Sequence, residues 1–379
     1  MSRNHETNVL VLQGGGALGA YQAGAYEELS LAGYEPEWLA GISIGAINAA
    51  IIAGNEPKAR VKRLRALWET LSQQLVGRPL LPGEMARRFF NEASAAVVMS
   101  VGVPGFFRPR TIPPTLLPKG HAGATSYYDT TPLEKTLNEL VDFDYLAERG
   151  PRLSVGAVDV ETGNFGYFDN SRTRIGPEHI MASGALPPGF PAVRVGEKSY
   201  WDGGLVSNTP LQYVLDTARG GALCIFQVDL FSARGAVPGC IQEVAQREKD
   251  IRFSSRTRLT TDRYQELSDL RAAALRLRDR LPESLKSDPD LQRLCQVGAG
   301  CPVTLVHLIH RKEGFEAESK DYEFSRLSMV EHWSSGRADV SHALSAPGWK
   351  NRQRGQAEMQ IFDRGERRIR PHNQEESVK

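Results

Sequence analysis

The sequence predicts an α/β fold, a central and mostly parallel sheet with helices on both faces. Three observations carry that expectation. A strand, turn, helix unit opens the chain and is repeated at once. Short apolar runs recur along the chain between longer segments of helical periodicity. Several of those runs are apolar from end to end, as buried strands are.

Taken in order, Asn8 to Leu12 reads as a buried strand, the glycines after it as a tight turn, and Ala20 to Leu31 as a helix with Tyr21, Ala25 and Leu29 on one side. Trp38 to Ile42 is the second strand and Ala46 to Ala53 the second helix, closed by Gly54-Asn55. Arg60 to Leu75 follows as a helix with Leu64, Leu67 and Leu71 in a stripe. From Val76 to Tyr127 the chain is rich in proline and glycine around one helix, Glu84 to Met99, and reads as an insertion or lid over a site. In "TTPLEKTLNEL", Thr131 is placed to cap a helix, with Pro132 in its first position and Glu134 completing a capping box.

Further on, Leu153 to Val160 and Phe165 to Phe168 read as strands joined through Thr162-Gly163-Asn164, and Glu178 to Ser183 as a short helix. Val193 to Trp201 reads as a strand pair turning at Gly196-Glu197, and Ala222 to Leu230 as another buried strand. Ile241 to Leu281 is charged and helical, Val303 to Ile309 a last strong strand, and Arg326 to Leu344 a helix. Three regions follow: an α/β domain over 8–230, a mostly helical extension packed on it over 231–350, and a mixed-charge tail over 351–379.

Composition excludes several function classes. The 46 basic and 45 acidic residues leave a net charge of +1, which gives no global attraction for nucleic acid or an anionic membrane. The four cysteines, Cys224, Cys240, Cys295 and Cys301, form no C-x-x-C pair, so neither a disulfide framework nor a zinc site is expected. The run from Ala40 to Gly54 is too short to span a bilayer, and the N-terminal apolar run is too short for a signal-peptide core. A cytoplasmic location is the expectation.

Gly14, Gly16 and Gly19 satisfy G-x-G-x-x-G between a strand and a helix, which fits a dinucleotide pyrophosphate. A nicotinamide-dependent oxidoreductase would also need an acid at the end of the second strand. Glu35 and Glu37 precede that strand, and its end reads instead Gly41-x-Ser43-x-Gly45. G-x-S-x-G on a strand-to-helix turn lifts a serine hydroxyl clear of the backbone, and the flanking glycines remove colliding Cβ atoms. The following helix N-terminus favours negative charge developing there. The plainer alternative is a glycine turn that packs a helix on a sheet.

A serine needs a base. His307 and His310 sit in or beside a strand and point to opposite faces, while His121 and His179 have no flanking pattern, so a histidine triad is not supported. Asp202 has the better surroundings, directly after Tyr200-Trp201 and before Gly203-Gly204. At its ordinary pKa of ~3.9 an aspartate is a poor base near neutrality, a mismatch of roughly 4 kcal/mol, and burial beside Trp201 would raise it. A plain turn aspartate is the alternative.

Together Gly14-Gly15-Gly16-Ala17-Leu18-Gly19, Gly41-Ile42-Ser43-Ile44-Gly45 and Asp202-Gly203-Gly204, in that order, resemble the patatin-like phospholipases, serine acyl hydrolases with a Ser-Asp dyad. "MASGALPPGFPAV", Met181 to Val193, is similar to the segment that precedes the family's aspartate. The resemblance spans roughly Asn8 to Leu230 and implies a three-layer α/β/α fold. It implies Ser43 as nucleophile, Asp202 as base, and an oxyanion hole from the loop Gly14, Gly15, Gly16, Ala17 and Gly19, with Gly41, Gly45, Gly203 and Gly204 as support. The sequence departs from the family at Leu18, where Arg or Lys is common, and at Gln13, where many members have Asp or Gly. After Leu230 it resembles an uncharacterised extension of some bacterial members.

The resemblance implies a lipid acyl hydrolase of phospholipase A or carboxylesterase type, needing no cofactor and no metal. The implied partners are an acyl-ester lipid and a membrane surface touched peripherally, at the inner membrane, with no nucleic acid. A catalytically silent lipid-binding protein of the same fold is the rival reading. Within the insertion, Phe106 and Phe107 stand between prolines with Arg108 and Arg110 beside them, which suits either a lipid-facing loop or two rings pinned in the core. "DYEFSRLSMVEHW", Asp321 to Trp333, has the aromatic and leucine spacing of a packed helix.

Overall fold

The protein is described by a computed structural model covering residues 6–254, 257–297, 301–311, 318–354, 359–363 and 366–367. Its strands are β1 (Glu6–Leu12), β2 (Trp38–Gly41), β3 (Arg108–Pro109), β4 (Tyr128–Asp129), β5 (Arg152–Asp159), β6 (Phe165–Asp169), β7 (Val193–Val195), β8 (Lys198–Asp202), β9 (Ala222–Asp229), β10 (Val303–Ile309), β11 (Gln360–Asp363) and β12 (Glu366–Arg367). The helices of the first half are α1 (Gly19–Leu31), α2 (Ile44–Ala53), α3 (Pro57–Leu71), α4 (Glu84–Val101), α5 (Thr131–Leu140), α6 (Phe143–Glu148) and α7 (Pro177–Ser183). Those of the second half are α8 (Leu211–Thr217), α9 (Ile241–Phe253), α10 (Thr257–Arg280), α11 (Glu283–Lys286), α12 (Pro289–Leu294), α13 (Arg326–Ser345) and α14 (Pro347–Lys350).

The central sheet runs β11, β10, β9, β1, β2, β5 with every neighbouring pair parallel. Antiparallel strands finish it: β6 and β8 on β5, β7 on β8, and β12 on β11. Alternation along β1 divides the core. Leu10 and Leu12 face the layer that includes α1, α2 and α3, while Val9 and Val11 face Leu211, Val214 and Leu215 of α8. The expected three-layer α/β/α arrangement results, with the parallel strands apolar because both of their faces are covered.

Residues after position 230 are built into this body. β10 extends the parallel sheet beside β9, and α13 lies against α1. The approach of the two helices is backbone to backbone: a Cβ on Gly24 would meet the carbonyl of Trp333, and one on Gly336 the carbonyl of Tyr21. The Trp333 indole donates to Glu27 at 2.6 Å and the Tyr21 hydroxyl to Asp339 at 2.7 Å, so polar ends are satisfied as the apolar faces close. Trp333 is therefore core, as its helical spacing suggests.

The segment expected as charged and helical over 241–281 is helical, as α9 and α10. Two local expectations are corrected. Helix α5 begins at Thr131, but the cap comes from outside: Asp129 Oδ1 accepts the N–H and the hydroxyl of Thr131 at 3.0 and 2.6 Å, so Thr131 is capped rather than capping. Within the region expected as a mixed-charge tail, Gln360–Asp363 adds a parallel strand to β10, with Ile361 and Phe362 buried; residues 355–358, 364–365 and 368–379 lie outside the described residues. No helix among the described residues is long and apolar enough to cross a membrane.

Candidate active site

The site is set by where β2 ends. β5 pairs with β2 as far as Val155, opposite Gly41, and with β8 from Ala157, opposite Asp202. Since β6 occupies the other edge of β5 over Val158 and Ala157, β8 enters on the β2 edge, in the space that β2 vacates. The chain leaving β2 at Gly41 reaches Ser43 at that point, and Asp202 arrives from the opposite direction. The Ser43 hydroxyl accordingly lies beside the Asp202 carboxyl, near enough to act on its ionisation.

Ser43 is held at φ 55° and ψ −125°, the only non-glycine residue at positive φ among those described. It is part-exposed although Ile42 and Ile44 beside it are buried. The neighbouring glycines are required sterically: a Cβ on Gly41 would lie 2.5 Å from the carbonyl of Gly45, and one on Gly45 would strike the backbone of Leu12 and Gln13. α2, buried along its whole length, starts immediately after Ser43 and directs its N-terminus at it.

Asp202 is 2% exposed. Burial pushes its carboxyl up to about 6, opposed by the neighbouring Ser43 hydroxyl and by a hydrogen bond from the Gly204 N–H, 2.7 Å from Oδ1. Gly203 is needed because a Cβ there would lie 2.8 Å from the carbonyl of Gly156, and Gly204 because one there would press on the Asp202 carboxyl at 3.1 Å.

The glycine loop faces the same point, since a Cβ on Gly14 would come within 3.0 Å of the Ser43 Cβ. Not every amide of the loop is available. The Gly14 N–H donates to the Asn208 carbonyl at 3.2 Å, and the Gly19 N–H donates to the Gly16 carbonyl. These two glycines, counted with the oxyanion hole from sequence, are corrected to close-approach positions: Gly14 lets the Asn208 amide and Ser43 near, and Gly19 fits beneath Ile44 and Trp68. The N–H groups of Gly15, Gly16 and Ala17 donate to no acceptor among the described residues.

Several supporting residues have no sequence signal of their own. Ser183, fully buried, accepts the Ser43 N–H at 3.0 Å and donates to the Gly156 carbonyl at 2.7 Å, so it ties the Ser43 backbone to β5. Gln13 accepts the N–H groups of Leu230 and Phe231 at 2.5 and 2.9 Å and donates to Thr209 and to the Phe253 carbonyl. That explains its departure from the family pattern, because the long amide bridges β1 to the end of α9. Asn208 donates to the carbonyls of Gly14 and Phe253 at 3.0 and 2.8 Å. The α9 carboxyl end thus fastens the glycine loop from the C-terminal half.

A second fastening comes from residues 318–321. The Asp321 carbonyl occupies the space that a Cβ on Gly16 would need. Lys249 pairs with Asp321 at 2.6 Å and the buried Lys320 with Asp250 at 2.7 Å, two crossed ion pairs that hold this turn on α9. Burial raises the Asp321 carboxyl, and the Lys249 ammonium opposes that rise.

The two phenylalanines of the insertion are core. Phe106 and Phe107 are 6% and 7% exposed and pack with Phe190, Tyr128 and Phe324, which rejects the lipid-facing alternative for these rings. Of the histidines, His179 and His121 accept backbone N–H groups of Gly176 and Gly123, while His310 packs edge-on against Tyr21 and His332. Cys224 is buried, and burial pushes its thiol up to about 12. Among the described residues no cluster of His, Cys, Asp or Glu is arranged to hold a metal.

A family model described as Patatin-like phospholipase matches residues 10–215, and one described as Patatin phospholipase matches residues 251–356. No curated protein matches the chain. Among solved structures, VipD from Legionella pneumophila is 14% identical over 87% of this chain and 67% of its own, at a TM-score of 0.35. A chain of the heterodimeric ExoU–SpcU complex from the type III secretion system of Pseudomonas aeruginosa is 18% identical over 77% of this chain and 59% of its own, at a TM-score of 0.29. The chain thus spans only part of the length of each.

Proposed function

The chain belongs to the patatin-like phospholipase family, and from that premise we propose that it hydrolyses an ester-linked acyl chain of a lipid through an acyl-serine intermediate. The observation that supports this reading is the contact of a part-exposed serine on a strained turn with a buried carboxyl raised to about 6. With that value the mismatch between base and neutral pH shrinks to about one unit, or ~1.4 kcal/mol.

In the proposed reaction Ser43 Oγ attacks the acyl carbonyl carbon as its proton passes to Asp202. The carbonyl oxygen, now carrying the charge, is met by the N–H groups of Gly15, Gly16 and Ala17. Collapse expels the alcohol, which takes the proton from Asp202 and leaves an acyl ester on Ser43. Water then attacks that ester, Asp202 receives its proton, and the second collapse returns the proton to Ser43 and releases the fatty acid. The protein contributes position and charge throughout, and no cofactor is invoked. Leu205 and Val206, exposed just after Gly203-Gly204, offer apolar surface to an acyl chain next to the dyad.

A fluorophosphonate probe tests the reading. Stoichiometric labelling of Ser43, abolished in Ser43→Ala, together with turnover of nitrophenyl esters, is expected. Absence of both labelling and turnover in folded protein would favour the silent lipid-binding alternative.

A further inference from the structure

Helix α4 presents its faces the wrong way round for water. The residues it buries are Arg87, Asn91, Ser94, Ala95 and Val98, so a guanidinium, an amide and a hydroxyl point inward. Met85, Phe89, Ala93, Ala96 and Val97 point outward, with Met85 86% and Phe89 74% exposed, and the charges exposed beside them on the helix are Glu84, Arg88 and Glu92. A surface helix ordinarily does the reverse, since its apolar stripe is what the core covers. The inward polar face is anchored: Arg87 donates to Ser328 at 2.9 Å and pairs with Glu331 at 2.5 Å, both on α13. The orientation is therefore fixed by specific bonds and leaves an apolar stripe in solvent.

The surroundings extend the stripe and charge it. Of the 23 large apolar side chains exposed among the described residues, 11 lie between positions 76 and 127, a concentration beyond the scattered exposure of an ordinary surface. Of the five arginines and Lys119 in this stretch, Arg87 is paired with Glu331 and Arg108 with Asp129, which leaves Arg78, Arg88, Arg110 and Lys119 against Glu84 and Glu92, a net +2 in a chain whose total is +1. Arg78, Arg88 and Lys119 are exposed. Apolar side chains flanked by cations match the acyl boundary and the anionic headgroups of a bilayer. α4 also packs beside residues 318–321, the turn whose carbonyl lies on Gly16, so the stripe is joined to the proposed oxyanion loop through one layer of protein.

We propose that the outward face of α4 is a docking surface for an anionic lipid bilayer, which it meets with Met85, Phe89 and Val97 inserted and Arg88 at the headgroups. The choice of a lipid surface over another partner rests on the hydrolase reading together with this charge bias. Docking there brings the lipid to the side of the protein on which the glycine loop is fastened.

Binding is measured without turnover, using full-length Ser43→Ala protein and vesicles of ether-linked phosphatidylcholine containing phosphatidylglycerol. The expected result is cosedimentation that weakens with added salt, and that falls by ~10-fold or more when Met85→Glu and Phe89→Glu are combined. Leu277→Glu, on an exposed apolar position of α10, is expected to leave binding unchanged. Both altered α4 side chains are exposed, so thermal unfolding is expected to stay in place; should it shift, Arg88→Glu tests the same surface through charge alone. Equal binding by the double variant and its parent, or equal loss in Leu277→Glu, would overturn the proposal. So would a dimer that the double variant dissociates while neither form binds vesicles. Vesicle binding without any esterase activity would sink the hydrolase reading and leave the docking face standing; soluble-ester turnover without vesicle binding would do the opposite.

Discussion

The backbone carbonyl of Asp321 fills the space that a side chain on Gly16 would occupy, and Gly16 itself is held at φ 53°. Two independent constraints thus fall on one glycine of the proposed oxyanion loop. Gly16→Ala is expected to lower soluble-ester turnover by at least ~100-fold, the scale of losing one oxyanion donor. The added methyl must push either the loop or the 318–321 turn away, so the melting temperature falls as well. Unaltered kcat in this variant would show that the loop takes no part in the reaction.

As the proposed base, Asp202 is expected to link activity to pH and to oppose stability. Protonation through about 6 removes the proposed base, so kcat/KM for a soluble ester is expected to rise across that pH and level off above it. Because the folded-state value lies above the unfolded one of ~3.9, the protonated carboxyl favours the fold. That contribution is complete below the unfolded value and is lost as pH rises through about 6. Asp202→Asn can still accept from Gly204 and carries no buried charge. It is expected to abolish turnover while raising the melting temperature near neutrality, by a margin of ~3 kcal/mol at most, with no gain at acid pH. Calorimetry at both ends of the range checks the sign.

Elements whose logic is local were legible in the sequence. The paired strand, turn, helix units, G-x-S-x-G at the end of the second and Asp202 before two glycines are each written in a few adjacent residues, because turn geometry depends on which positions lack a Cβ. What supports them was not legible. Ser183 tethers Ser43 through an N–H, Asn208 consumes the Gly14 amide, and the Phe253 carbonyl receives Gln13 and Asn208. These contacts are long-range and largely to backbone, which has no residue code. The periodicity of α4 likewise marks an apolar side without saying which side the protein covers. Gln360–Asp363 is too short an apolar run to stand out from the charges around it.

The burial of Phe106 and Phe107 carries its own expectation. Both rings pack on Phe190, and Phe106 also on Phe324, which follows directly on the turn that touches the glycine loop. Phe106→Ser with Phe107→Ser should lower stability by several kcal/mol, as loss of buried aromatic rings does, at ~3–5 kcal/mol for each full truncation. Activity on vesicles and on a soluble ester should fall together. Selective loss on vesicles, with the melting temperature intact, would mean that these rings meet lipid after all.

The strain at Ser43 separates its chemical part from its structural one. The proposed nucleophile sits at φ 55°, where a Cβ is disfavoured and glycine is not. Ser43→Ala and Ser43→Gly both remove the hydroxyl, and each is expected to cost at least ~10³-fold in ester turnover. Their stabilities should differ. Alanine keeps the Cβ and the strain, so its melting temperature should stay close to that of the parent. Glycine relaxes the turn but widens the unfolded ensemble, and the relief of ~1–3 kcal/mol exceeds the entropic cost of ~0.5–1 kcal/mol. Ser43→Gly is therefore expected to melt above Ser43→Ala. Combining Asp202→Asn with either should add little further loss of activity, since members of one catalytic unit do not act independently. A glycine variant that melts below the alanine one would show that the turn is not strained, and multiplying losses in the double variant would remove Asp202 from the proposed dyad.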